Sequence, residues 1–145
     1  KKTFLVPTLS AVNNIFINKN NGIPNFIVDK TLRVRERHHK SIKMFYEAGG
    51  KIAMGTDAGT PFNLHGENLQ ELKFMIDLGV SHKDALKIST LNAAELMGLS
   101  DRGKIREGDF ADMLIVNGNP LEDIEMVSNS DNHRLVIKNG SIVKN

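Results

Sequence analysis

The sequence contains no cysteine among its 145 residues, so disulfide bonds and thiolate metal ligands are excluded. A metal ion would therefore have to be bound by histidine or carboxylate side chains. Long apolar runs are also missing, since no stretch approaches the roughly 18 consecutive apolar residues of a membrane-spanning helix. The apolar run after Lys1 and Lys2 is too short for a secretory signal, and we expect a cytoplasmic protein.

A strong charge of one sign is likewise absent. The formal net charge of +2 is too small to indicate nucleic-acid binding. One basic cluster lies on a predicted helix and comprises Arg33, Arg35, Arg37, Lys40 and Lys43. Because the cluster includes Glu36 and has no interleaved aromatic residues, we interpret it as a solvated helix face. A nucleic-acid-binding module is the alternative, and it would show a strongly salt-dependent affinity.

The first half of the chain predicts a strand, a long helix and a second strand. Phe4-Leu5-Val6 is typical of a short buried strand that Pro7 ends, and the asparagine-rich stretch from Asn13 to Asn25 predicts a loop. An amphipathic helix is predicted from Asp29 to Gly49-Gly50, because a stripe of side chains follows at spacings of three and four residues. Its stripe consists of Leu32, Glu36, His39, Ile42 and Phe45. Lys51 to Thr56 predicts the second strand.

A strand, helix and strand in this order form a βαβ unit, which makes the two strands parallel and favours a barrel or a doubly wound α/β fold. Further helices are predicted over Leu69 to Leu78, from the capping-box-like Ser81-x-x-Asp84, and from about Thr90 to Gly98.

After Gly98 the pattern becomes strand-like. Strands are predicted at residues 103–105, 112–116 and 134–144, and Asn139-Gly140 is a strong signal for a two-residue hairpin turn. A small β region should therefore follow the α/β region.

Gly55-Thr56-Asp57-Ala58-Gly59 places a carboxylate directly after the second predicted strand. In α/β barrels the catalytic groups lie at the carboxyl ends of the strands, where the βα loops converge. An aspartate that caps a turn or binds loop amides is the alternative, because Asp is common at turns. The local pattern leaves both interpretations open.

Several segments carry further motifs in a consistent order and spacing: Val6–Ser10, Gly55–Gly59, His65–Leu69, Ser89–Gly98 and Gly103–Asp112. The most specific is the last, with the pattern Gly-x-Ile-x-x-Gly-x-x-Ala-Asp. Together they resemble the end of an amidohydrolase-superfamily enzyme, in the imidazolonepropionase-like and Xaa-Pro dipeptidase-like branch. The resemblance covers essentially the whole chain.

The resemblance implies an α/β fold made of the last two βα units of a (β/α)8 TIM-like barrel, followed by C-terminal strands of a small β-sandwich domain. Residues 1–100 would form the barrel part and residues 101–145 the sandwich part. Asp57 then corresponds to the aspartate of the eighth strand, which implies that it binds a divalent metal and shuttles a proton. The metal would be zinc, with one or two ions in the intact enzyme.

The family's other metal ligands have no counterpart in this sequence. They are a His-x-His pair after the first strand, often a carboxylated lysine from the fourth, and histidines from the fifth and sixth. Because a complete barrel needs roughly 200 residues or more, we expect the chain to be a C-terminal fragment that is inactive and without metal when alone. Lys1 in place of an initiator methionine agrees with this expectation.

Histidines are the remaining candidates for a site. His65 follows Asp57 on a loop beside Gly66, where we predict that it contacts substrate; the alternative is a solvated loop histidine bonded to backbone. His39 shares the apolar stripe of its helix, which favours a partly buried structural role. His82 and His133 are predicted to lie at the surface.

The predicted function is hydrolysis of a C–N bond in an amide, a cyclic amide or an Xaa-Pro dipeptide, with a small-molecule substrate and no nucleic-acid or membrane partner. Uncovered strand edges and helix faces predict a homo-oligomer. The alternative is a stand-alone α/β binding or interaction module derived from such an enzyme. A His-x-His motif encoded upstream of Lys1 would favour the enzyme.

Overall fold

The fold comes from a computed structural model and is described for residues 3–144. In chain order, the elements are β1 (Phe4–Leu5), α1 (Leu9–Ile17), α2 (Asn25–Glu47), β2 (Lys51–Ile52), α3 (Gln70–Asp77), α4 (His82–Lys87), a π-helical segment (Ile88–Asn92), α5 (Ala93–Leu96), β3 (Met113–Val116), α6 (Glu125–Ser128), a 3-10 turn (Ser130–Asn132), β4 (His133–Lys138) and β5 (Ser141–Lys144). Within residues 3–144, no helix combines the length and apolar composition that crossing a lipid bilayer requires.

Strands β1 and β2 are parallel, as the sequence predicted. Phe4 lies opposite Lys51 and Leu5 lies opposite Ile52, and helices α1 and α2 connect the two strands. Helix α2 begins at Asn25 rather than at Asp29, because Pro24 already has a φ of −55° and its carbonyl accepts the amides of the first turn. Asp29 therefore lies inside the helix and does not cap it.

The predicted loop from Asn13 to Asn25 was wrong in its first part, where helix α1 runs to Ile17. The asparagines of this helix are buried, and Asn13 Oδ1 accepts a hydrogen bond from Arg35 Nε at 3.0 Å. Asparagine favours loops because its side chain competes for local backbone groups. A partner on another helix removes that competition, and the local sequence does not show such a partner.

The predicted apolar stripe of α2 is only half correct. Ile42 is buried and Phe45 is partly buried, whereas Leu32 is 46% exposed and Glu36 is exposed. In the N-terminal half of the helix the buried residue is Thr31, so the buried face there is displaced by one residue from the predicted stripe.

Helix α4 starts at the predicted cap, since Ser81 Oγ accepts the Asp84 amide at 3.1 Å. The π-helical segment that follows contacts β2 directly. Ile88 O accepts the Met54 amide at 3.2 Å, and Asn92 Nδ2 donates to Ile52 O at 2.8 Å. The Ile52 carbonyl and the Met54 amide point away from β1, because the Ala53 amide between them donates to Leu5 O and backbone groups of successive extended residues alternate in direction. The π-helical segment thus binds two backbone groups on the side that faces away from β1.

The C-terminal sheet is antiparallel in the order β3, β4, β5, and the predicted hairpin turn is confirmed at Asn139 and Gly140, which have φ of 49° and 77°. Asp112 Oδ1 accepts the Asn139 amide at 2.8 Å and so fixes the turn. The predicted strand at residues 103–105 was wrong. At Gly103 a Cβ would lie 2.8 Å from the Thr90 carbonyl oxygen, so this segment packs against the helix and cannot join the sheet.

One apolar core joins the two regions. Its buried members are Leu9, Ile42, Ile52, Leu72, Met75, Val80, Ala85, Ile88 and Ile124. Fully burying one of the larger side chains stabilises a fold by about 1.5–3 kcal/mol. Ile124 comes from the C-terminal region, and an ion pair between Lys73 and Glu125 joins α3 to α6 next to it. The domain limits at residues 100 and 101 stay a prediction.

Candidate functional site

The segments after β1 and β2 lie at one edge of the fold, because parallel strands direct their carboxyl ends to the same side. Gly55 shows how closely these segments approach each other. A Cβ at this position would lie 2.4 Å from Val6 Cγ1, well inside van der Waals contact. A side chain at position 55 would therefore displace Val6, and glycine lets the segment after β2 pass this close to the residue that follows β1.

Asp57 lies in the segment after β2 and is exposed to solvent. Its φ of 55° lies in the left-handed region, which residues other than glycine adopt infrequently and in which aspartate is enriched. Within residues 3–144 its carboxylate forms no hydrogen bond or ion pair, so it is available to a ligand. The interpretation of Asp57 as a side chain that caps a turn or binds loop amides does not fit this geometry.

Asn63 maintains the conformation of the Asp57 segment. It is 3% exposed, and its Nδ2 donates to the carbonyl oxygens of Thr56 at 2.7 Å and Asp57 at 2.9 Å. Two backbone hydrogen bonds close the same loop, from Gly59 N to Asn63 O at 2.8 Å and from Asn63 N to Thr60 O at 2.9 Å. The sequence did not reveal Asn63, because an asparagine in a loop normally indicates only a turn.

His65 belongs to the same loop as Asp57. It is exposed, and its Nε2 lies 3.7 Å from the position that a Cβ on Gly59 would occupy. The imidazole therefore lies beside the turn that follows Asp57, and its predicted contact with substrate stays a prediction.

Glu71 fixes the loop after β1. Its side chain is fully buried on α3 and accepts three hydrogen bonds at the start of α1: from Leu9 N at 2.7 Å, Ser10 N at 2.7 Å and Ser10 Oγ at 2.6 Å. Burial raises the pKa of Glu71, and the hydrogen bonds from Ser10 and Leu9 oppose that rise. Thr8, just before α1, has a left-handed φ of 47°. The sequence did not indicate this role of Glu71, since its partners lie about 60 positions away.

The other histidines contact other parts of the fold or lie partly buried in it. His39 is partly buried, as predicted, and burial together with the Arg35 charge lowers its pKa. His38 Nε2 lies 2.9 Å from the Pro7 carbonyl oxygen. The predicted surface positions of His82 and His133 are only partly correct, because both are half-buried and His133 Nε2 lies 2.7 Å from the Val127 carbonyl oxygen.

A complete metal site does not form within residues 3–144, where no group of three or more histidine, aspartate or glutamate side chains could hold an ion. A carboxylate oxygen such as that of Asp57 suits a hard or borderline divalent cation. Catalytic zinc usually has about three protein ligands, so Asp57 supplies only part of such a site.

Three known proteins show what the chain is similar to. The ochratoxinase of Aspergillus niger is 29% identical over 147 residues, which cover 99% of this chain and 30% of the relative. An imidazolonepropionase of Deinococcus radiodurans is 31% identical over 87 residues, which cover 57% of this chain and 21% of the relative. The crystal structure of a Xaa-Pro dipeptidase with bound methionine in the active site superposes with a TM-score of 0.84 and 34% identity, and the match covers 99% of this chain and 35% of that one.

These matches confirm the predicted resemblance to imidazolonepropionase-like and Xaa-Pro dipeptidase-like enzymes. The chain spans about a third of the length of the ochratoxinase and the Xaa-Pro dipeptidase, with coverages of 30% and 35%. Residues 3–143 match the Amidohydrolase family, which is almost the whole sequence. The chain therefore belongs to the amidohydrolase family.

Proposed function

We propose that this chain forms the C-terminal part of a metal-dependent amidohydrolase that cleaves a C–N bond, with Asp57 as a metal ligand and proton shuttle. The observation that carries the proposal is the Asp57 carboxylate, which has no partner within residues 3–144 and lies in the segment that follows the second of two parallel strands. Family membership supports the reaction type.

The proposed intact enzyme has a (β/α)8 barrel, of which β1 and β2 with their helices are the last two units. Strands β3 to β5 would belong to a small β-sandwich beside it. The TM-score of 0.84 with a Xaa-Pro dipeptidase over 99% of this chain supports this arrangement. The remaining strands would come from parts of the protein that precede these residues.

Asp57 would act twice in the reaction. When bound, a divalent ion such as zinc lowers the pKa of a water molecule towards about 7. Asp57 takes a proton from the attacking water as its oxygen bonds to the carbonyl carbon, and returns that proton to the leaving nitrogen as the C–N bond breaks. One carboxylate serves both steps because it gains and loses the same proton.

The substrate in this proposal is a small molecule containing an amide, a cyclic amide or an Xaa-Pro bond. Support comes from the relatives, among which are an imidazolonepropionase and a Xaa-Pro dipeptidase. His65 would contact the substrate from the loop beside Asp57. Specificity depends on the loops around a site and not on the fold, so the relatives indicate the type of bond and leave the compound open.

Sequencing the gene upstream of Lys1 tests this assignment without any protein. We expect an in-frame region of roughly one hundred codons or more that contains a His-x-His motif, since a whole barrel has roughly 200 residues or more and residues 1–100 would supply only its last part. An initiation codon immediately before Lys1 would contradict the proposal and favour a stand-alone binding module.

A further inference from the structure

We propose that Asn63 is a positioning residue that keeps Asp57 in the conformation its catalytic role requires. This inference rests on the proposed function of Asp57. It assigns to Asn63 no contact with substrate or metal, only control of the backbone that carries the carboxylate.

The hydrogen bonds of Asn63 explain how a solvent-exposed aspartate can keep a left-handed backbone. A single amide group, Nδ2, donates to the carbonyl oxygens of both Thr56 and Asp57, and lies 3.2 Å from Thr60 Oγ1. The first two carbonyls belong to the two peptide units that flank the Asp57 Cα atom. Fixing both carbonyls restricts rotation at Asp57 to the observed φ of 55°.

The backbone conformation matters for chemistry because it sets the direction of the Cα–Cβ bond. A left-handed residue with a Cβ relaxes to the right-handed or extended region when nothing opposes it. Such a change at Asp57 would turn its carboxylate away from its present direction. A catalytic group has to be held within about 0.5 Å and 10–20° of its working geometry, and buried supporting side chains provide that restraint.

The loop closure itself does not depend on the Asn63 side chain. Gly59 N donates to Asn63 O and Asn63 N donates to Thr60 O, and every residue except proline has the backbone groups for these bonds. Removing the side chain therefore leaves the turn closed and frees the two carbonyl oxygens. This separation makes a positioning role distinguishable from a general role in folding.

Solution NMR on the intact enzyme, with its aspartate residues isotope-labelled, tests the geometric part. The strength of the intraresidue nuclear Overhauser effect between the Asp57 amide and α protons reports a positive φ. We expect a strong effect in the wild type and in Asn68→Ala, whose exposed side chain lies in the same loop and has no bond within residues 3–144. We expect a weakened effect in Asn63→Ala and in the near-isosteric Asn63→Asp, which lacks the donor.

Unchanged φ at Asp57 in both Asn63 variants would overturn the proposal. Loss of all dispersed resonances in both variants, with the Asn68 control folded, would overturn it too, because Asn63 would then act on the whole fold. The same NMR comparison is independent of any enzymatic activity.

Kinetics of the intact enzyme test the catalytic part. We expect Asn63→Ala to lower kcat by about 10- to 100-fold, since a misplacement of 1 Å can cost that much, and to change KM by less than about threefold. An unchanged kcat, with Asp57 shown to move by NMR, would refute the positioning role. If Asp57→Asn itself retains full activity, the proposed function fails instead, and the two failures are therefore distinguishable.

Discussion

Polar side chains near the strand ends are bonded mainly to backbone groups. Asn63 binds two carbonyls of its own loop, Glu71 binds two amides of α1, and Asn92 binds the carbonyl of Ile52. Leaving one buried backbone group without a partner costs about 1–3 kcal/mol. Each of these side chains therefore fixes the path of the chain at a particular point.

His39 gives a test at the scale of a single residue. Burial, followed by the Arg35 and His38 charges, lowers its pKa below the usual 6.5, and Asp77 only partly opposes this. Among the described residues 3–144, its Nε2 is buried and has no hydrogen-bond partner, which fits a neutral ring. As the pH falls below 6.5, the unfolded chain takes up a proton that the folded chain does not, so stability should decrease.

Urea unfolding between about pH 5 and pH 7.5 measures this effect. The wild type should lose stability towards the acidic end, and His39→Gln should lose less, whereas His82→Gln should follow the wild type. If His39→Gln lost more stability than the wild type at acidic pH, the direction inferred for the pKa shift of His39 would be wrong.

At the scale of elements, Glu71 connects α3 to the start of α1. We expect Glu71→Gln to destabilise the chain by about 1–3 kcal/mol, because an amide has one acceptor oxygen where the carboxylate has two, and its NH2 group would face a backbone donor. Chemical denaturation should show this loss for Glu71→Gln and little change for the exposed Glu67→Gln. Equal stability of both variants would contradict the capping role.

The elements that the sequence predicted correctly are those specified by nearby residues. The hairpin turn at Asn139-Gly140 and the helix cap at Ser81 depend on neighbours within a few positions, and both are confirmed. Helix α1 and the segment at residues 103–105 were missed because their conformations depend on distant partners. Glu71 supplies the first of these partners and the backbone of Thr90 supplies the second.

The same reasoning explains what could be predicted of the candidate site. Asp57 was identifiable because a motif carries it directly after a predicted strand. Its left-handed backbone and the two carbonyl contacts of Asn63 depend on how the loop folds back, which residue order alone does not specify. The residues that position the candidate site were therefore harder to predict than the residue they position.

At the scale of the whole molecule, exposed apolar side chains predict association. Ile105 is 90% exposed, Phe26 72%, Ile17 63% and Met44 59%. Large exposed apolar groups promote contact between chains, although Ile88 O and Asn92 Nδ2 already bind the Met54 amide and the Ile52 carbonyl on the side facing away from β1. We propose that the isolated chain forms a homo-oligomer, and light scattering over a range of concentrations should show masses above 16.1 kDa. A monomer at high concentration would count against this expectation.

The central claim is that Asp57 binds a metal and carries a proton, and one comparison in the intact enzyme tests it most directly. Metal content and kcat would be measured for Asp57→Asn, for Asp112→Asn as the matched aspartate control, and for this chain alone. Asp112 supports the hairpin turn through the Asn139 amide, so its replacement should act through stability.

We expect Asp57→Asn to reduce kcat by about 10²–10⁴, because the acceptor of the water's proton is lost, with a smaller change in KM and weaker metal retention. Asp112→Asn should keep its metal and most of its kcat at a temperature where it is folded. The chain alone should bind zinc weakly and turn over no substrate. Full turnover by Asp57→Asn or by the isolated chain would contradict the role of this carboxylate.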